Sequence, residues 1–221
     1  MNRPRIAVLA SGRGSNMEAI ADACADGRIT ADLALVLAND ARAGVLASAA
    51  RRGLPHVCVE HGAFADREAF EQAMLSELRA QNIDIVVLAG FMRILTPLFI
   101  REYYGSLLNI HPSLLPKYPG LHTHQRALDA GDREAGATVH FVIPELDAGP
   151  AIIQARVAIH DGDRAEDIAA RVQREEHRIY PLAVQWCATG RVVLKNGIAL
   201  KDGEAISVEA SDTTSTAIER S

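Results

Sequence analysis

Three stretches of this 221-residue chain combine residue types and spacing that could carry chemistry. The first is Ser11-Gly12-Arg13-Gly14-Ser15-Asn16, placed between an apolar run from Ile6 to Ala10 and a helical pattern from Asn16 to Ala25. Glycines there let a ligand approach the backbone, and a helix N-terminus offers unpaired N–H groups with a partial positive charge. Such a turn is a phosphate cradle; its plainer alternative is a tight turn in which Ser15 or Asn16 caps the helix. The dinucleotide fingerprint is incomplete, because Met17 stands where a third glycine would fall, although Asp40 could imitate its ribose-binding acid. No Gly-Lys-Ser/Thr follows, so this is not a Walker loop.

The second stretch is Asn109-Ile110-His111-Pro112, at the end of a strand pattern. Residues two apart on a strand share a face, so Asn109 and His111 project together while Ile110 faces the core. An amide and an imidazole at the carboxyl end of a strand could polarise a carbonyl and stabilise its oxyanion. The proline-rich loop Ser113 to Gly120 braces them. The third stretch supplies a partner: Asp147, in the turn Glu145 to Pro150, is the leading carboxylate to orient His111. The same Asp-Ala-Gly-Pro is also ordinary turn chemistry, and the sequence leaves its distance from His111 open.

Other candidates are weaker. His122-Thr123-His124 lacks a nearby carboxylate or cysteine at ligand spacing and reads as the start of a short helix before Leu128. His140 lies within a strand pattern and reads as core. Ser113 and Cys58 lack the glycine elbow or ordered base that a nucleophile needs. Cys24, Cys58 and Cys187 are odd in number and widely spaced, which indicates neither a disulfide frame nor a zinc site and fits a reducing compartment. No apolar run reaches the ~20 residues of a bilayer span or the length of a signal-peptide core. The expectation is a cytoplasmic protein. A net charge of −5 argues against sequence-independent nucleic-acid binding, so an anionic ligand must be held by a local cluster.

The elements that must position these residues are legible from periodicity. Apolar runs at Ile6–Ala10, Leu33–Ala38, His56–Val59, Ile83–Ala89 and Leu107–Ile110 alternate with helical patterns. One helix opens at Asp66 with Phe70, Met74 and Leu78 on a single stripe. That alternation predicts right-handed βαβ units in a Rossmann-like, open, mostly parallel twisted sheet with helices on both faces. Beyond residue 135 the pattern changes to a late antiparallel pair, Ala137–Ile143 and Ala151–Ile159, since the connection is too short for a crossover helix. A helix then runs from about Arg164 with Ile168, Val172 and Ile179 inward, and Pro181 should kink or restart it. One domain over residues 1–202 is expected, with 203–221 as a flexible C-terminal tail.

Several of these motifs, in this order, resemble the phosphoribosylglycinamide formyltransferase family of folate-dependent enzymes. The resemblance runs from Ile6 to about Leu194 and rests on Ser11-Gly12-x-Gly14-Ser15-Asn16, Ala89-Gly90-Phe91-Met92-Arg93-Ile94-Leu95, Asn109 to Pro116, and Glu145-Leu146-Asp147-x-Gly149-Pro150. It implies formyl transfer from 10-formyltetrahydrofolate, as cosubstrate, to the amine of glycinamide ribonucleotide in purine biosynthesis. It implies Asn109, His111 and Asp147 as the catalytic group, with no metal. Gly14, Ser15, Asn16 and Met17 would hold the nucleotide phosphate, and Glu176 would meet the ribose. Arg67, Met92, Arg93, Ile94 and Leu95, with Asn109, would contact the folate, the 92–95 segment mostly through backbone. The Asn-x-His and Leu-Leu-Pro core is shared with methionyl-tRNA formyltransferase and formyltetrahydrofolate deformylase, whose extra domains this chain has no room for. The implied partners are small molecules, with no nucleic acid or membrane, and the protein is a monomer or homodimer. Two rival classes stay open: a nicotinamide-dependent oxidoreductase, disfavoured by Met17, and a non-catalytic nucleotide-binding module, which leaves Asn109, His111 and Asp147 without a common purpose.

Overall fold

The computed structural model describes residues 3–207. Strands β1 (Arg5–Ala10), β2 (Asp32–Ala38), β3 (His56–Cys58), β4 (Ile85–Leu88) and β5 (Leu107–His111) alternate with helices α1 (Ser15–Ala25), α2 (Gly44–Arg51), α3 (Arg67–Ala80) and α4 (Pro97–Glu102). Helix α5 (Thr123–Asp129) then leads to β6 (Glu134–Phe141), β7 (Ala151–Ala158) and the long α6 (Ala165–Ala188). The seven strands form one sheet in the order β3-β2-β1-β4-β5-β6-β7. The first five are parallel, while β6 runs antiparallel to both β5 and β7. The expected architecture is therefore present, with β6 and β7 as the late antiparallel pair.

Side-chain alternation explains why both faces are covered. Ile6, Val8 and Ala10 of β1 pack into one core with Met17 and Ile20 of α1 and Ile168, Val172 and Ile179 of α6. Ala7 and Leu9 point the other way, into a second core with Phe70, Met74 and Leu78 of α3 and Phe99 of α4. A strand apolar at every position must be covered on both sides, and two helix layers do so. The sheet order reverses direction between β1 and β4, and in open α/β sheets the crevice outside the carboxyl ends at such a switch point is where ligands bind.

Three details differ from expectation. Pro181 lies inside α6 without ending it, so the helix is not restarted there. Its missing N–H removes one ladder bond, and the buried apolar face, with Ile179, Tyr180, Ala183 and Val184, outweighs that loss. Helix α4, six residues long, and a single 3₁₀ turn at His61–Ala63 carry too little periodicity to be read in advance. Strands β8 (Val192–Lys195), β9 (Ile198–Lys201) and β10 (Glu204–Ala205) form a separate three-stranded antiparallel sheet. The expected boundary at residue 202 thus falls within that small sheet, between β9 and β10. The rest of the expected tail, from residue 208, lies outside the described residues.

Candidate active site

The carboxyl ends of β1, β4 and β5 open into a cleft of about 730 Å³. Its walls are the 12–16 turn, the 88–95 segment, Asn109 to Pro112, the 120–124 segment and the 140–147 turn, with Gln173 and Glu176 from α6. All three stretches singled out in the sequence meet in this one space.

At one end, Gly14 precedes α1 with a φ of 89°, a left-handed conformation that glycine adopts without strain. A Cβ there would stand 2.6 Å from Val45 Cγ2 and 3.0 Å from Val45 Cα, so the turn is packed against α2 as well. No side chain caps α1, so the capping alternative for Ser15 and Asn16 is set aside and the first-turn amides stay available to an anion. Asn16 points instead to α6, where its Nδ2 donates to Glu176 Oε2 at 2.8 Å. Both side chains are buried, and Asn16 Oδ1 has no partner among the described residues. Burial pushes the Glu176 carboxyl above its ordinary value, against the smaller opposing effect of the Asn16 bond. Ser15 Oγ accepts from Gln173 Nε2 at 3.1 Å.

At the other end lies the polar group. Asn109 and His111 both face the cleft, while Ile110 is buried in the core. The Asp147 carboxylate, only 7 % exposed, brings Oδ2 to 3.4 Å from His111 Nδ1, longer than a well-formed hydrogen bond. The same Oδ2 accepts the Gly120 N–H at 2.8 Å, and His111 Nε2 donates to the Tyr118 carbonyl at 2.9 Å. The 118–120 loop therefore touches both members of the pair. Tyr118 holds that carbonyl in place with a φ of 56°, a left-handed conformation unusual for an aromatic residue. Gly149 lets the Asp147 turn sit flat on β6, since a Cβ there would stand 1.8 Å from the Phe141 carbonyl oxygen.

His140 is more than core. Its Nδ1 donates to the Phe141 carbonyl at 2.9 Å, which leaves Nε2 to accept from Asn109 Nδ2 at 3.1 Å. Burial holds its pKa below the ordinary histidine value, which suits a neutral acceptor. Reading β6 with its register against β5, where His140 stands opposite Asn109, would have found it.

Several expected contacts differ. The Met17 side chain is fully buried in the core, so only its backbone can reach a ligand at the α1 N-terminus. Arg67 is exposed in the first turn of α3 and does not line the cleft. Met92, Arg93, Ile94 and Leu95 do line it, with Met92 and Ile94 largely exposed and Leu95 buried. Asp40 pairs with Arg42, which holds its carboxyl down to about 2, and it also lies off the cleft. The ribose-binding acid of a nicotinamide enzyme is therefore not at this site. Helix α5 begins at Thr123 as expected from His122-Thr123-His124. Among the described residues no three His, Cys, Asp or Glu gather as a metal site, and no helix is long and apolar enough to cross a membrane.

The formyl transferase family matches residues 4–184. The chain is 50 % identical over 201 residues to the phosphoribosylglycinamide formyltransferase of Escherichia coli, covering 91 % of this chain and 95 % of that one. Among solved structures, the phosphoribosylglycinamide formyltransferase of Coxiella burnetii superposes with a TM-score of 0.89 at 41 % identity, over 93 % of this chain and 97 % of that one. A formyltetrahydrofolate deformylase from Pseudomonas syringae superposes at a TM-score of 0.84 and 26 % identity, over 90 % of this chain and 66 % of that one.

Proposed function

The chain belongs to the formyl transferase family, and from that premise we propose that it moves a formyl group from 10-formyltetrahydrofolate to the amine of glycinamide ribonucleotide. The observation that carries this reading is the sharing of one cleft by a helix N-terminus with uncapped amides and by Asn109, His111 and Asp147. A phosphorylated substrate held at one end is thereby aligned with a carbonyl-polarising group at the other. Holding both reactants in that alignment supplies the advantage of proximity.

In this reading the backbone of Gly14 to Met17, with Ser15 and Asn16, receives the nucleotide phosphate, and Glu176 accepts from the ribose hydroxyls. The 92–95 segment receives the pterin, with Asn109 reaching the formyl end. The substrate amine attacks the formyl carbon and forms the new C–N bond, while the carbonyl electrons move onto oxygen. Asn109, fixed by His140, donates one amide N–H to that oxyanion. His111 donates the second bond from Nδ1, because its Nε2 is committed to the Tyr118 carbonyl. Asp147, with Oδ2 3.4 Å from Nδ1, orients the ring. Collapse of the tetrahedral intermediate breaks the bond to the folate nitrogen, which takes up the proton released by the amine through a water molecule. Neither a metal ion nor a covalent enzyme intermediate enters these steps.

The test is direct. Incubating the protein with 10-formyltetrahydrofolate and glycinamide ribonucleotide should give tetrahydrofolate and a nucleotide heavier by one formyl group. Release of formate with unmodified nucleotide would instead indicate hydrolysis, the reaction named for the deformylase relative.

A further inference from the structure

One wall of the cleft, Phe91 to Leu95, is a strap without helix or strand between β4 and α4. Among the described residues, no backbone N–H or C=O of Phe91 to Leu95 bonds another main-chain group. Such a segment presents free donors and acceptors, but five residues without a ladder are costly to hold in one conformation. The strap is fastened at each end by a side chain from elsewhere in the fold. Near its start, Met92 N–H donates to Ser11 Oγ at 2.8 Å, and Ser11 in turn donates to Asn39 Oδ1 at 2.6 Å. Asn39 is buried at the end of β2, so it fixes the direction of the Ser11 hydroxyl and leaves a lone pair for Met92. Just past its end, Glu71 of α3 receives both the N–H of Thr96, at 2.8 Å on Oε1, and the Thr96 hydroxyl on Oε2. Glu71 is 1 % exposed, and among the described residues its carboxylate bonds only Thr96. A buried carboxylate spent wholly on one residue of a loop margin needs a reason, because burying a charge is costly unless its bonds are used.

We propose that Ser11 and Glu71 are positioning residues for the folate donor, pinning the two ends of the strap so that its free backbone groups match a reduced pterin. This rests on the reading that the cleft binds a reduced folate. The two fasteners come from different parts of the fold, the turn that follows β1 and helix α3, so the strap's geometry is set by the sheet end and by the helix covering it rather than by its own sequence. Neither side chain has to touch the ligand.

The experiment compares Kd for tetrahydrofolate with Kd for glycinamide ribonucleotide, by calorimetry, in Ser11→Ala, Thr96→Val, Glu71→Ala and Glu71→Gln. Loss of one such bond should weaken tetrahydrofolate by about three- to tenfold in Ser11→Ala and Thr96→Val. Nucleotide affinity should change less than about twofold, as expected when no bond at that site is lost. Glu71→Ala should be weaker still, and Glu71→Gln should recover most of the loss, since its amide can accept from Thr96 N–H and donate to the Thr96 hydroxyl. If Glu71→Ala does not fold, Ser11→Ala and Thr96→Val decide the matter. Parallel weakening of both ligands, or lowered thermal stability with unchanged tetrahydrofolate affinity, overturns the assignment. A wild-type protein that binds the nucleotide but not tetrahydrofolate overturns the functional reading itself, a result distinct from failure of the variants.

Discussion

Asn16 and Glu176, 160 residues apart in the chain, meet in a 2.8 Å hydrogen bond that joins the first turn of α1 to the middle of α6. The bond brings the α1 end of the cleft together with a buried carboxylate. It also leaves Asn16 Oδ1 as an acceptor without a partner among the described residues. Since burial raises the Glu176 pKa, the folded protein binds that proton more tightly than the unfolded chain does. Its presence should therefore lower stability as pH rises from the ordinary glutamate value of 4.5 through the raised one. Glu176→Gln, which keeps the Asn16 bond, is expected to be more stable than wild type at neutral pH, with the difference closing as pH falls toward 4.5. Urea unfolding at a series of pH values measures this; a difference independent of pH would remove burial as the cause.

His111→Ala is expected to lower turnover by about 10²–10³-fold, the usual effect of deleting one oxyanion donor. Nucleotide affinity should stay within a few-fold, because the α1 cradle lies on a different loop. Asp147→Asn should keep the fold, as asparagine also tolerates the φ of 51° found at this position. If the pair acts as a unit, the double variant should be no slower than His111→Ala. Additive losses in steady-state kinetics would mean that Asp147 acts independently of the ring.

His140 gives an opposite pH signature. With its pKa lowered by burial, its contribution is whole above the ordinary histidine value of 6.5 and is lost as pH falls through the window beneath it. Protonating Nε2 would also remove the acceptor for Asn109. Histidine NMR should find His140 titrating below 6.5, and His140→Gln should flatten the acid side of the stability profile. Titration of His140 at or above 6.5 would contradict the role given to it.

Gly14→Ala separates space from conformation. The added Cβ meets Val45, and the left-handed backbone is itself unfavourable for alanine. A cost of about 1–3 kcal/mol is expected from thermal or chemical unfolding, together with weakened nucleotide binding. Adding Val45→Ala removes the Cγ2 contact but keeps Val45 Cβ at 2.8 Å and Cα at 3.0 Å, so it should recover only a fraction of the loss. Full recovery would show that φ at Gly14 is unimportant, and an unchanged nucleotide affinity in Gly14→Ala would place the phosphate elsewhere.

Much of this protein is written in short-range pattern. Apolar runs closed by glycine turns determined the parallel strands, and the short Glu145 to Pro150 connection determined the antiparallel pair. The spacing of two placed Asn109 and His111 on one face. These features are local, because periodicity and turn chemistry act over a few residues. The tertiary structure decided what lies far apart in the chain. It set Asp147 Oδ2 at 3.4 Å from His111, gave His140 to Asn109, buried the Met17 side chain and left Arg67 outside the cleft. It also revealed Glu71, which from sequence is one more acid on an amphipathic helix. Such pairings depend on strand order, register and the path of loops, and no residue's immediate neighbours encode them.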